Sequence, residues 1–144
     1  NRKRLSAELE DGSIYYDTVE KLLPKCQFLS IHCPATPASI GLLNADRIAL
    51  LPDDAIVVNT ARGAVIDDEA LHAALASGKI AAAGLDVYNN EPAGIFPGYR
   101  ELKNTFLLPH IGSATRETRV AMGFRAIANL DAYFAGKEPD DRVA

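Results

Sequence analysis

Two stretches of this 144-residue chain, Ala55 to Asn59 and Ile80 to Val87, are apolar at almost every position. A strand with one wet face alternates apolar and polar residues. A run without alternation belongs to a strand covered on both faces, as in a parallel sheet. Gln27 to Cys33 and Thr105 to Leu108 read as further strands, and Ser13 to Tyr16 as a short one. Helical segments separate them, and that alternation predicts an α/β domain with a mainly parallel sheet. In open parallel sheets, ligands sit beyond the carboxyl ends of the strands. The loops that follow the strands are therefore where chemistry is expected.

The helix signals are local. Leu5 to Glu10 is a short helical piece ended by Asp11-Gly12, and Thr18 to Pro24 makes a turn or two. Asn44 suits the N-cap of a helix running through Leu51, which Pro52 stops. Asp67 and Asp68 begin a helix with Leu71, Ala74 and Leu75 on one side, and Gly78 suits its C′ position. Asn89 to Lys103 is irregular. Ser113 or Thr115 caps a long last helix carrying Val120, Phe124, Ile127, Ala128 and Phe134 at helical spacing, ended by Gly136 and Pro139.

Composition removes several function classes. The net charge of −4 argues against nucleic acid or an acidic membrane surface as a partner. No apolar run reaches the roughly 18–20 residues that span a bilayer. Cys26 and Cys33 flank one strand, roughly 20 Å apart when extended. A disulfide needs Cα atoms within about 7 Å. Two free thiols and a reducing, cytoplasmic compartment are expected. His32 beside Cys33 suggests a metal pair, but no further ligands follow at suitable spacing, so no metal site is assigned.

Three polar residues end or follow apolar runs: Arg62, Glu91 and His110. Taken singly, each has an ordinary role, as a surface ion-pair partner, a solvated carboxylate and a structural histidine. Together they suit an acid substrate. A guanidinium presents a planar fork of donors to a carboxylate. Gly63 behind it allows a tight turn. A carboxylate beside an imidazole favours the imidazolium, which can then protonate a carbonyl oxygen. Asp86 sits in an otherwise apolar run and needs a partner or a task, either capping a backbone amide or accepting from a ligand amide.

Asn-Thr-Ala-Arg-Gly (59 to 63), Ala-Ala-Gly-Leu-Asp-Val (82 to 87), Asn-Glu-Pro (90 to 92) and Leu-Pro-His-Ile-Gly-Ser-Ala-Thr (108 to 115) resemble the D-isomer-specific 2-hydroxyacid dehydrogenase family, nearest its glyoxylate/hydroxypyruvate reductase branch. The resemblance covers essentially the whole chain. It implies a Rossmann-type, doubly wound parallel sheet, with residues 1–112 as the second half of a nicotinamide-cofactor domain. Residues 113–144 would be a helix and tail returning toward a substrate domain. It implies Arg62, Glu91 and His110 as catalytic residues and Asp86 as acceptor for the nicotinamide carboxamide. His32, Cys33 and Pro34 would lie near the adenine and the backbone near Thr60 and Gly112 by the nicotinamide, with Ala61 and His110 as further implied cofactor contacts. The implied partners are a small 2-oxoacid or 2-hydroxyacid and a second copy of the full-length enzyme.

The sheet is expected to be incomplete, because the family's Gly-rich phosphate loop, G-x-G-x-x-G, occurs nowhere in the chain. The first βαβ unit and most of the substrate domain, roughly 150–180 residues, are expected before Asn1. The chain alone is expected to have little or no dehydrogenase activity. Asn1-Arg2-Lys3-Arg4 would follow the second strand of the missing unit. An arginine there accommodates a 2′-phosphate, so Arg2 and Arg4 favour NADP(H), with NAD(H) left open. Two alternatives stay open: a phosphite dehydrogenase-like member of the family, and a non-catalytic, dinucleotide-sensing protein of the corepressor kind. Formate enzymes of the family carry Gln where Glu91 stands, which disfavours that substrate.

Overall fold

The computed structural model describes residues 4–143. It divides into two compact units, Asn1–Pro109 and His110–Ala144. In the first, β1 (Phe28–Ile31), β2 (Ala55–Asn59), β3 (Ile80–Leu85) and β4 (Thr105–Leu107) form one sheet in the order β1-β2-β3-β4. All three pairings are parallel, as the unalternating runs require. The register aligns Ile31 with Asn59, Asn59 with Leu85, and Leu85 with Leu107. The four carboxyl ends therefore share one edge. The chain has an α/β, Rossmann-like sheet.

Helices fill the crossovers. α1 (Ala7–Glu10) and α2 (Val19–Leu22) precede β1, α3 (Ala45–Leu50) joins β1 to β2, and α4 (Asp68–Ala76) joins β2 to β3. Asn44 caps α3 by accepting from the Arg47 amide, and Asp67 caps α4 by accepting from the Ala70 amide. Leu51, held extended before Pro52, ends α3. Gly78 follows α4 with φ +80°.

The core lies on one face of the sheet. Val57, Ala83 and Leu85 point into it with Leu71, Leu75, Ile48, Leu23 and Tyr99. The expectation of strands covered on both faces is met on that side only. On the other side Ile56, Val58, Ala82 and Gly84 are half-buried, while Phe28 and Phe106 are 73% and 68% exposed. A second difference is at Ser13 to Tyr16, which is irregular rather than a strand. It pairs with no strand among the described residues, and an isolated strand leaves its backbone groups without ladder partners. Cys26 and Cys33 are free thiols.

The second unit contains α5 (Arg116–Phe134), capped by Thr115, and a tail that folds back along it. None of the residues of α5 is buried. No helix among the described residues is long and apolar enough to cross a membrane. Arg125 grips Asp141 with two hydrogen bonds, and Asn129 both donates to Asp141 and accepts from its amide. These donors hold the Asp141 carboxyl down at about 2, with the Arg125 bond the largest cause. Because the folded value lies below the ordinary one, the latch is complete above pH ~4 and is lost as pH falls through about 2. A carboxyl NMR titration should find that midpoint, and Arg125→Ala should return it to the ordinary Asp range.

Candidate active site

The end of β2 is wound around a buried asparagine. Asn59, 1% exposed, accepts from the Ala61 amide at 3.0 Å and donates to the Arg62 carbonyl at 3.0 Å. Both ends of its amide are thus spent on shaping the turn that presents Arg62. The Arg62 side chain is exposed, and its Nη1 donates to the Ala61 carbonyl at 2.6 Å. A 3-10 turn, Gly63–Val65, follows immediately.

The end of β3 is tied to the end of β2. The Asp86 amide donates to the Asn59 carbonyl at 3.0 Å, and the Asp86 residue is 5% exposed. Tyr88, also buried, shares its hydroxyl proton between the carbonyls of Leu85 at 2.9 Å and Leu108 at 2.8 Å. Burial, more than its charged neighbours, pushes the Tyr88 phenol up, so it remains a donor. The Tyr88 amide donates to Glu91 Oε1 at 2.6 Å, which fixes one oxygen of that carboxylate against its own loop.

The turn of Arg62 and the loop of Glu91 are in backbone contact. A Cβ on Gly63 would lie 2.0 Å from the Tyr88 carbonyl carbon and 2.3 Å from the Asn89 nitrogen. The sequence reading of Gly63 as a device for tight turning needs correcting. Its φ is not among the left-handed glycines, so the lack of a side chain, not the freedom of φ, is what the position demands.

Other expected site residues distribute as follows. Thr60 is exposed at the carboxyl end of β2, beside half-buried Ala61. His32, Cys33 and Pro34 follow β1 at the same edge: His32 Nε2 pairs with Ser30 Oγ at 2.7 Å, Cys33 packs against the core, and the Pro34 carbonyl accepts from Ser39. Arg4 is committed to a two-armed ion pair with Glu10, which competes with any phosphate. Arg2 lies outside the described residues. His110 and Gly112 belong to the second unit, both exposed. His110 follows β4 by two intervening residues and has φ +55°. A non-glycine residue held there costs on the order of 1–3 kcal/mol, and such strain gathers at functional sites.

Two residues that shape this edge escaped the sequence reading. Asn59 reads in sequence only as the last residue of an apolar run, although a polar side chain closing such a run signals a structured turn. Tyr88 gave no signal, since its hydroxyl acts on carbonyls distant in sequence.

The described residues can therefore offer a guanidinium, a carboxylate and a nearly buried Asp at one sheet edge. An acceptor of that kind at the end of β3 fits a carboxamide, and the exposed Thr60 adds a hydroxyl. The phosphate-binding part of a dinucleotide site is not among these residues.

Comparison with known proteins follows the same line. Residues 1–112 match the D-isomer specific 2-hydroxyacid dehydrogenase, NAD binding domain. A glycerate dehydrogenase of Hyphomicrobium methylovorum is 43% identical over 138 residues, covering 96% of this chain and 42% of that protein. A glyoxylate reductase of Aeropyrum pernix is 44% identical over 143 residues, covering 99% and 42%. A crystal structure of an NADPH-dependent glyoxylate/hydroxypyruvate reductase from Sinorhizobium meliloti, in complex with NADP and malonate, superposes with a TM-score of 0.93 at 33% identity. It is matched over 100% of this chain and 44% of its own length. The chain thus spans about two fifths of the length of these curated relatives. With its parallel sheet and its match over residues 1–112 to the NAD-binding domain, the chain belongs to the D-isomer-specific 2-hydroxyacid dehydrogenase family.

Proposed function

We propose that this chain is the cofactor-domain part of a reductase that converts a small 2-oxoacid, glyoxylate or hydroxypyruvate, to the D-2-hydroxyacid, with NADPH preferred over NADH. The observation that carries the reading is the backbone contact between the Arg62 turn and the Glu91 loop at the carboxyl edge. That contact sets the loops of Arg62 and Glu91 side by side, which supports reading the first as the carboxylate-binding cation and the second as the acid–base partner. The names of the relatives from Aeropyrum pernix and Sinorhizobium meliloti support the substrate class.

Asp86 and Thr60 would hold the nicotinamide end of the cofactor. The bound reduced nicotinamide supplies a hydride for the carbonyl carbon. Arg62 binds the substrate carboxylate through its fork of donors and keeps the carbonyl oriented. His110 gives its proton to the carbonyl oxygen as the C–O bond becomes single. Glu91 would be the carboxylate partner that orients that imidazole for the transfer. Arg2, with Arg4 once released from Glu10, would meet a 2′-phosphate.

The test is cofactor oxidation by the complete protein that carries this chain, followed by absorbance. NADPH should be consumed with glyoxylate and hydroxypyruvate. Residues 1–144 alone should show little or no turnover, and Arg2→Ala should raise the KM for NADPH while sparing that for NADH. Oxidation of phosphite with neither oxoacid reduced would replace the substrate. Dinucleotide binding with no turnover on any of them would replace the enzyme reading with a sensor.

A further inference from the structure

The loop that carries Glu91 is fastened at its base by side chains that belong to no motif. Asp68, the first residue of α4, receives two hydrogen bonds on its carboxylate, one on each oxygen. Asn89 Nδ2 donates to Oδ2 at 2.7 Å, and the Tyr99 hydroxyl donates to Oδ1 at 2.9 Å. The other Asn89 amide hydrogen reaches the Ile66 carbonyl at 3.2 Å. Asn89 therefore staples its loop to the approach and the first turn of α4. The Tyr88–Asn89 peptide also packs against Gly63.

The far end of this strut is buried and tied down. Tyr99 is 1% exposed and meets the edge of Phe96, which in turn meets His72. Its carbonyl accepts from Thr105 Oγ1 at 2.7 Å, at the start of β4. Burial first, then the Asp68 charge, keeps the Tyr99 phenol protonated well past the ordinary tyrosine range, so it is a constant donor. A carboxylate receiving two neutral donors is a charge-assisted anchor, stronger than an amide–amide contact.

From this geometry we infer that Asn89, Asp68 and Tyr99 form a positioning strut that sets where the Glu91 carboxylate stands. The inference rests on the reading of Glu91 as the partner of His110. Asn89 is two residues from Glu91, and the Tyr88 amide between β3 and Asn89 already holds Glu91 Oε1. Releasing the base of the loop lets that carboxylate wander without removing it. A displacement of about 1 Å near reacting atoms can cost as much as about 100-fold in rate.

Asn89→Ala is the cleanest variant, because Asn89 is exposed and its loss leaves no core void. Tyr99→Phe removes only the hydroxyl and serves as the milder second variant. Both are compared with Glu91→Gln in the complete protein, measuring kcat, both KM values and the pH profile of kcat/KM for oxoacid reduction. For Asn89→Ala, kcat should fall about tenfold or more, with the KM for NADPH within about twofold. The alkaline limb of that profile should move down, as it should in Glu91→Gln. Tyr99→Phe should move it in the same direction by less. An unmoved limb in Asn89→Ala beside a shifted one in Glu91→Gln overturns the strut and leaves the reading of Glu91 intact. An unmoved limb in Glu91→Gln overturns that reading, and the strut with it.

Discussion

Replacing Gly63 with alanine destabilises the protein by about 3 kcal/mol or more, a Tm loss on the order of 10 °C. The added Cβ would lie 2.0 Å from the carbonyl carbon of Tyr88 and 2.4 Å from its oxygen. Those are backbone atoms, and no rotamer change moves them aside. Tyr88 cannot retreat cheaply either. Its hydroxyl spans Leu85 and Leu108, and its amide is bonded to Glu91. Gly78 provides the control, because its Cβ would meet nothing within 4 Å although its φ is +80°. Gly78→Ala should cost only the left-handed backbone penalty, about 1 kcal/mol. Thermal melts that rank Gly78→Ala as the more damaging change would contradict the contact. If the proposed function holds, Gly63→Ala, by pushing the Arg62 turn off the Glu91 loop, should also raise the oxoacid KM of whatever protein folds.

Removing the imidazole is the second large effect. His110→Ala in the complete protein should lower kcat by about 10²–10⁴-fold, the usual contribution of a placed general acid. The dissociation constant for NADPH should stay within a few-fold. The φ of +55° complicates the alanine variant, since alanine also resists that conformation. His110→Asn separates the two effects. Asparagine tolerates the left-handed region but cannot deliver the proton, so it should be as slow as alanine while melting closer to the wild type. Losses shared equally between turnover and cofactor binding would assign His110 a binding role instead.

Much of the sheet could be read from the residues, and the reasons are local. Ala55 to Asn59 forms β2 at the expected bounds, because a run of that length and composition suits a buried parallel strand. Asn44 caps the helix it is expected to cap, Thr115 rather than Ser113 caps the last helix, and Asp67, expected only at the start of its helix, is the cap, since a short polar side chain before an apolar-periodic segment has a defined amide to meet. Ser13 to Tyr16 is irregular where the sequence suggests a strand, because strand propensity without a neighbouring strand does not make a ladder. The wet face bearing Phe28 and Phe106 was equally invisible, as apolarity reports what a face could bury and not what this chain supplies to cover it. Gly63 shows the same limit at the site. Its need for empty space comes from residues 25 positions later, and nothing in its own neighbourhood announces them. The Asn89–Asp68–Tyr99 strut joins three segments for the same reason.

In the proposed reaction, Arg62, Glu91 and His110 would act on one small acid. The most direct measurement is a crystal structure of the complete protein with NADP and a non-reacting dicarboxylate. The expected result is one ligand with its carboxylate on the Arg62 guanidinium and a second oxygen about 3 Å from the His110 imidazole, itself bonded to Glu91. A ligand held elsewhere, with the guanidinium and the imidazole on separate faces, would contradict the shared site and the proposed reaction together.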